Sequence, residues 1–184
     1  TQYRLGLAVA SAAAGRTDEA AAELRRGAAA GFANIPVDHV WATTITGYSA
    51  LALQLGDRAA AEELRSLLEP FAGEVAFNGT SSQGPIGAYV GRLASLVGDH
   101  TAAEHHLGAA LRTATELGWE YHRATTLLAL GRARVRRTGR VDDGTLRLLS
   151  DAHTCATRRG LLGVAGEIAT LGAHRDVALR SSDG

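Results

Sequence analysis

The sequence lacks lysine and methionine, has a single cysteine and is only 5% aromatic. One cysteine, Cys155, excludes an internal disulfide and a zinc site built from several cysteines, and this scarcity is typical of proteins from a reducing compartment. No apolar run approaches the roughly 20 residues that a membrane-spanning helix needs. We therefore expect a cytoplasmic protein without a membrane segment, a metal or a cofactor.

The chain also has no net charge, because its 19 basic residues, which are all arginine, balance 19 acidic residues. A chain of 184 residues with 46% hydrophobic residues predicts one domain, 1–184. Since the chain starts at Thr1 without a methionine or a leader of basic and apolar residues, we expect it to be a fragment of a larger protein. With no excess of positive charge, we expect contact with nucleic acid only through other domains of that protein.

The sequence does contain an internal repeat, marked by two series of glycines. Gly15, Gly56, Gly98 and Gly139 follow one another at intervals of 41, 42 and 41 residues. A second series has a similar period and consists of Gly31, Gly73, Gly118 and Gly160. Two series with one period predict a repeating unit of two elements, each ended by a glycine.

Both elements of the unit are predicted to be helices. Between the glycines the apolar residues recur with a helical period, as in Leu107, Ala110, Leu111 and Ala114. Glycine ends a helix readily, and Thr17, Asp57, Asp99 or Asp142 could cap the next one. The predicted helices are 3–14, 17–30, 38–54, 57–72, 86–97, 100–117, 119–138, 142–159 and 161–179.

An isolated helix pair cannot bury its apolar faces, so neighbouring pairs must stack. The sequence therefore predicts an all-α solenoid of about four antiparallel helix pairs and a closing helix. The corresponding units are 1–31, 38–73, 86–118, 119–160 and the closing helix 161–180. No strand of consequence is predicted, and residues 74–85 are expected to form a loop. Asp38 could cap the third helix.

The spacing of glycine, alanine and leucine in Gly15-Arg16-Thr17-Asp18-Glu19-Ala20 with Leu24 resembles the tetratricopeptide repeat (TPR). The period here exceeds the 34 residues of that repeat. Nearly the whole chain is similar to the helical C-terminal region of actinobacterial LuxR-type or adenylate-cyclase-like regulators with a central ATPase module. The residues that carry this likeness are 15–20, Asp38 with Trp41, 55–60 leading to 68–73, and Gly84-Pro85 through Tyr89 to Gly98. The resemblance implies a sensor or protein-interaction region beside a nucleotide-binding switch and an output module.

If the stacked helices form a groove, the first helix of each pair would line its concave side. Geometry alone then points to five candidate binding residues, which are Trp41, Tyr48, Tyr89, Arg123 and Arg132. Aromatic residues in stacked helices also serve as packing between helices, and this alternative remains open for the three aromatic candidates.

A local excess of arginine near the end of the seventh predicted helix defines what we call the arginine patch: Arg134, Arg136, Arg137 and Arg140. Arginines in this position interact favourably with the helix dipole, which would make the patch structural. The alternative is that they bind an acidic segment of a partner or a phosphorylated ligand.

Catalytic and metal signatures are weak. The segment Gly79–Gly84 has the glycine spacing of a phosphate loop, but Pro85 and Ile86 replace its lysine and hydroxyl residue. His105 and His106 diverge by about 100° on a helix, so surface histidines are favoured over a metal site. Cys155 is expected to be a buried, inert thiol.

The sequence thus predicts a non-catalytic interaction or sensor module of a larger cytoplasmic regulator of signalling or transcription. It would bind a protein, a peptide or a small effector on its concave face. The alternative is a structural module that self-associates through an exposed end helix, 161–179, as a homo-oligomer.

Overall fold

The computed structural model describes the backbone of residues 2–180 and the side chains of residues 3–171. Within these limits the chain forms nine α-helices, two 3₁₀ turns and one short β-hairpin. The helices are α1 (Gln2–Ala13), α2 (Thr17–Ala30), α3 (Trp41–Leu55), α4 (Arg58–Leu68), α5 (Ile86–Val97), α6 (His100–Glu116), α7 (Glu120–Thr138), α8 (Asp143–Arg158) and α9 (Leu162–Arg180). The prediction of an all-α chain is confirmed at the level of fold class.

Helix ends lie close to the predicted positions because local signals set them. Gly56, Gly98 and Gly139 follow α3, α5 and α7 with a left-handed backbone, which costs a residue without a Cβ little. The Asp57 and Asp142 side chains accept hydrogen bonds from the amides of Ala60 and Thr145 at 3.0 and 2.8 Å, which caps α4 and α8 as predicted.

Two of the predicted caps are wrong. Thr17 is the first residue of α2, and Arg16 precedes it without a side-chain cap. Asp38 does not cap α3, which starts at Trp41; its carboxylate accepts a hydrogen bond from the amide of Val40 at 2.9 Å. An aspartate whose side chain accepts a hydrogen bond from the amide two residues later forms a turn of its own. The helix begins only after this turn.

The expected loop at 74–85 contains two strands, β1 (Val75–Phe77) and β2 (Ser82–Pro85), which pair antiparallel. The segment predicted to be a loop is therefore a short hairpin, with strands of three and four residues. The Asn78 carboxamide oxygen accepts hydrogen bonds from the amides of Thr80 and Ser81, and Gly79 takes a positive φ of 91°, so the turn is fixed locally. Ala76 is fully buried, and the hairpin packs against α3 and α5.

The chain divides into two compact units, Thr1–Asp99 and His100–Gly184, so the predicted third pair contributes α5 to the first unit and α6 to the second. In the first unit α3 is central and packs against α1, α2, α4 and α5. Its polar residues are compatible with burial because the hydroxyls of Thr46 and Ser49 donate to carbonyls four residues back.

In the second unit α7 is the central helix and packs against α6, α8 and α9. Leu127, Leu128 and Leu149 form its core together with Cys155 and Ile168. The side chains of residues 172–180 in the predicted closing helix lie outside the described residues. No helix in the described part of the chain is both long and apolar enough to cross a membrane.

Candidate functional site

A cavity of about 670 Å³ lies in the first unit and is lined by α1, α2, the 3₁₀ turn region after α2, and α3. We call it the Tyr48 cavity after the predicted groove residue that lines it. Its volume falls within the roughly 300–1,000 Å³ typical of sites for small ligands. The described lining residues include four charged side chains, Arg4, Glu23, Arg26 and Asp38, and the apolar residues Ala30, Ile35, Pro36 and Val40.

The phenol ring of Tyr48 is a fixed part of this cavity wall. Tyr48 is 2% exposed, and its ring lies 5.1 Å from the ring of fully buried Phe32. Gly27 on α2 lies beside both rings, and a Cβ there would meet Tyr48 at 2.6 Å and Phe32 at 2.8 Å. The two aromatic rings thus occupy the space left by the missing side chain.

Glu23 places a carboxylate in the same wall, with only 6% of its side chain exposed. One carboxylate oxygen forms an ion pair with Arg26, three residues later on α2. The other oxygen accepts a hydrogen bond from the Tyr48 hydroxyl, at a long 3.4 Å. A buried carboxylate needs such partners because leaving its charge unpaired in the interior is costly.

We expect Tyr48 to ionise later than an ordinary tyrosine. Burial raises the pKa of its hydroxyl above the usual 10.0, and the adjacent Glu23 charge raises this pKa further. The folded state holds the Tyr48 proton more tightly than the unfolded state does. The contribution of this proton to the free energy of unfolding is therefore complete below about pH 10, and it is lost as the pH rises through the pKa of the folded state. In an alkaline titration followed by tyrosinate absorbance, one tyrosine should therefore ionise at a higher pH than the others, and we call its signal the late component.

The assignment is checked with two variants. Tyr48→Phe should remove the late component, whereas Tyr121→Phe, at a residue that is 56% exposed, should leave it in place. A late component that survives in Tyr48→Phe would contradict the assignment.

A second, smaller cavity of about 230 Å³ is lined by α1, α3, the hairpin and Tyr89 of α5. Tyr89 was predicted to line a groove, and its hydroxyl donates a hydrogen bond to the carbonyl of Gln83 at 3.3 Å. The threonine hydroxyls at this cavity bond to backbone: Thr43 donates to the carbonyl of Val40, just before α3, and Thr46 donates to a carbonyl within α3. This cavity offers a ligand fewer available polar groups and less volume than the Tyr48 cavity.

Trp41, the third aromatic candidate, lines neither of these two cavities. It is 7% exposed, and its ring lies edge-on to Phe71 with the ring centres 5.0 Å apart. Such an edge-to-face contact stabilises the packing of α3 against the turn after α4. The structure therefore places Trp41 in the packing role that the sequence left open.

The two arginine candidates, Arg123 and Arg132, both lie on α7 of the second unit. Arg132 forms an ion pair with Glu167 of α9 at 2.8 Å. Arg123 lies close enough to the Cys155 thiol to lower its pKa, against the larger effect of burial. Each arginine is thus associated with groups of its own unit.

In the arginine patch, Arg134 and Arg137 share one carboxylate. The Glu104 side chain of α6 lies 3.5 Å from Nε of Arg134 and accepts a hydrogen bond from Nε of Arg137 at 2.7 Å. Arg136 and Arg140 are exposed. A hydrogen bond from the Thr145 amide lowers the pKa of Asp142, and nearby Arg134 and Arg140 lower it further. Much of the positive charge is therefore balanced within the unit, which favours the structural alternative.

Cys155 is buried, as predicted, and its thiol donates to a carboxylate oxygen of Glu120 at 3.1 Å. Burial and this hydrogen bond raise the pKa of the thiol, which keeps it protonated and unreactive. Among residues whose side chains are described, no three His, Cys, Asp or Glu residues gather into a group that could hold a metal ion.

Sequence reasoning found Tyr48 but missed Arg4, Glu23 and Arg26. Glu23 and Arg26 are three residues apart on a helix, a spacing typical of an exposed ion pair, so nothing marked Glu23 as buried. No protein-family model, curated protein or solved structure matches the chain, so the geometry of the Tyr48 cavity is the main evidence on which a function can be based.

Proposed function

We propose that this chain is a non-catalytic recognition module that binds a small effector or a short peptide in the Tyr48 cavity. It would belong to a larger cytoplasmic regulator of signalling or transcription. The observation that carries the proposal is a cavity of ligand size whose wall combines a fixed aromatic ring with a buried carboxylate. The lining combines carboxylates and guanidinium groups with apolar side chains, which are groups suited to binding and orienting a ligand.

The packing inside each unit supports a helical repeat of the TPR type as the scaffold. In the first unit α1 contacts α3 and α3 contacts α5, while α2 and α4 each pack against the helix that follows them. In the second unit α7 contacts α9, again two elements further along the chain. In such an array each helix pair contacts the next pair, so an effector that shifts α1 against α3 would also change how α3 packs against α5.

A binding screen with a matched pair of variants tests the proposal. Ala30 is exposed and lines the cavity, whereas its neighbour Ala29 is exposed and does not line it. Small molecules from a fragment library should bind the full chain in ligand-observed NMR. Ala30→Trp should weaken that binding at least about tenfold because the indole fills the cavity, while Ala29→Trp should leave it unchanged. A library without hits, or hits that Ala30→Trp does not affect, would contradict the proposal.

Self-association is the second candidate, supported by Leu162 at the start of α9, which is 82% exposed. An exposed leucine on a terminal helix could pack against a second copy of the chain. If the chain self-associates through α9, light scattering should show a dimer or larger species at high concentration, and Leu162→Asp should restore the monomer. A chain that is monomeric at every concentration would exclude this function.

A further inference from the structure

The Tyr48 cavity contains an acceptor that the protein itself satisfies weakly. The Glu23 carboxylate has room for about four hydrogen bonds, and its described partners are Arg26 and the distant Tyr48 hydroxyl. The oxygen facing Tyr48 can therefore take a stronger donor. An ammonium group is a strong donor to a carboxylate because the hydrogen bond is assisted by opposite charges.

The same cavity also contains N–H donors that have no partner among the residues whose side chains are described. Arg4 of α1 lines the cavity and forms no ion pair among the described residues. Arg26 uses one terminal nitrogen for Glu23, which leaves its other N–H groups available. Guanidinium groups bind carboxylates in a fork geometry, so this side of the cavity fits an anionic carboxylate.

The charge of the cavity argues against a ligand with a net charge. Two arginines, Arg4 and Arg26, are balanced by Glu23 and Asp38. A simple cation would approach two arginines, and a simple anion would approach two carboxylates, each at an electrostatic cost. A neutral ligand with separated charges avoids both.

We infer that the Tyr48 cavity selects a free α-amino acid, with its ammonium group on Glu23 and its carboxylate towards Arg4 and Arg26. The inference rests on the proposed function and names the ligand class of that site. Ile35, Pro36 and Val40 supply apolar lining, so the ligand carries an apolar side chain.

Three probes that share one side chain test the ligand class. L-leucine carries both charges, leucinamide lacks the carboxylate, and N-acetylleucine lacks the ammonium group. Titration of the full chain should show leucine binding at least about tenfold more tightly than either derivative, because each derivative loses a charge-assisted hydrogen bond. Either derivative binding as tightly as leucine would overturn the inference.

Two variants assign each end of the ligand. In Glu23→Gln the ratio of the affinities for leucine and N-acetylleucine should fall towards one. In Arg4→Gln the ratio of the affinities for leucine and leucinamide should fall. Asp18→Asn and Arg25→Gln are matched controls, since both residues are exposed on α2 and neither lines the cavity. A general structural effect of Glu23→Gln or Arg4→Gln would weaken all three probes together and leave both ratios unchanged, which would also overturn the inference.

The two proposals fail in different ways. If other fragments bind and Ala30→Trp weakens their binding, but leucine does not bind, the amino-acid inference is wrong and the recognition function stands. If no small molecule or peptide binds in the cavity, both are wrong.

Discussion

Phe32→Ala should lower the free energy of unfolding of the first unit by about 3–5 kcal/mol, the usual cost of removing a fully buried phenylalanine. Phe32 is 0% exposed, and its ring packs against Tyr48. Removal of the ring loses its transfer free energy and leaves a void beside Tyr48. That void should also let the Tyr48 phenol move away from Glu23. The same substitution would therefore lower the stability of the unit and make the cavity wall more mobile.

Phe77→Ala is the matched control, because Phe77 belongs to the same unit and is 53% exposed. Urea unfolding should be followed by the fluorescence of Trp41 in a Trp119→Phe background, since the chain has two tryptophans, one in each unit. Phe77→Ala should change the stability by no more than about 0.5 kcal/mol. Equal losses in the two variants would mean that Phe32 does not anchor the unit.

The helices could be predicted because their signals are local. Gly56 and Gly139 end helices through their own backbone conformation, and Asp57 and Asp142 start helices by bonding amides three residues away. These interactions depend little on the rest of the fold. The hairpin could not be predicted in the same way, because its strands have three and four residues and are stabilised by contact with α3 and α5.

The cavity depends on contacts between distant parts of the chain, which periodicity does not reveal. Glu23 and Tyr48 are 25 residues apart and meet only because α2 packs against α3. Trp41 and Tyr48 were both predicted to line a groove, yet Trp41 packs on Phe71 while Tyr48 lines the cavity. The arginine patch was visible as a local charge excess, but its main carboxylate partner, Glu104, lies on another helix.

Gly27→Ala should destabilise the first unit by about 1–3 kcal/mol, although alanine is the better helix former. The new Cβ would lie 2.6 Å from a ring carbon of Tyr48 and 2.8 Å from one of Phe32, well inside contact distance. Aromatic rings cannot bend away, so α2 or both rings must shift. The gain of up to about 1 kcal/mol from replacing glycine in a helix is therefore outweighed by overpacking.

Gly6→Ala on α1 separates the two effects, because no atom lies within 4 Å of its added Cβ. This control should stabilise the unit by about 0.5–1 kcal/mol through helix propensity alone. Urea unfolding followed by Trp41 fluorescence should thus shift in opposite directions for the two variants. Since a shifted Tyr48 also moves the hydroxyl that faces Glu23, Gly27→Ala should weaken binding of any ligand in the cavity, whereas Gly6→Ala should leave it unchanged. Stabilisation by both substitutions would show that the rings yield to the methyl group, and the wall of the Tyr48 cavity would then be adaptable rather than fixed.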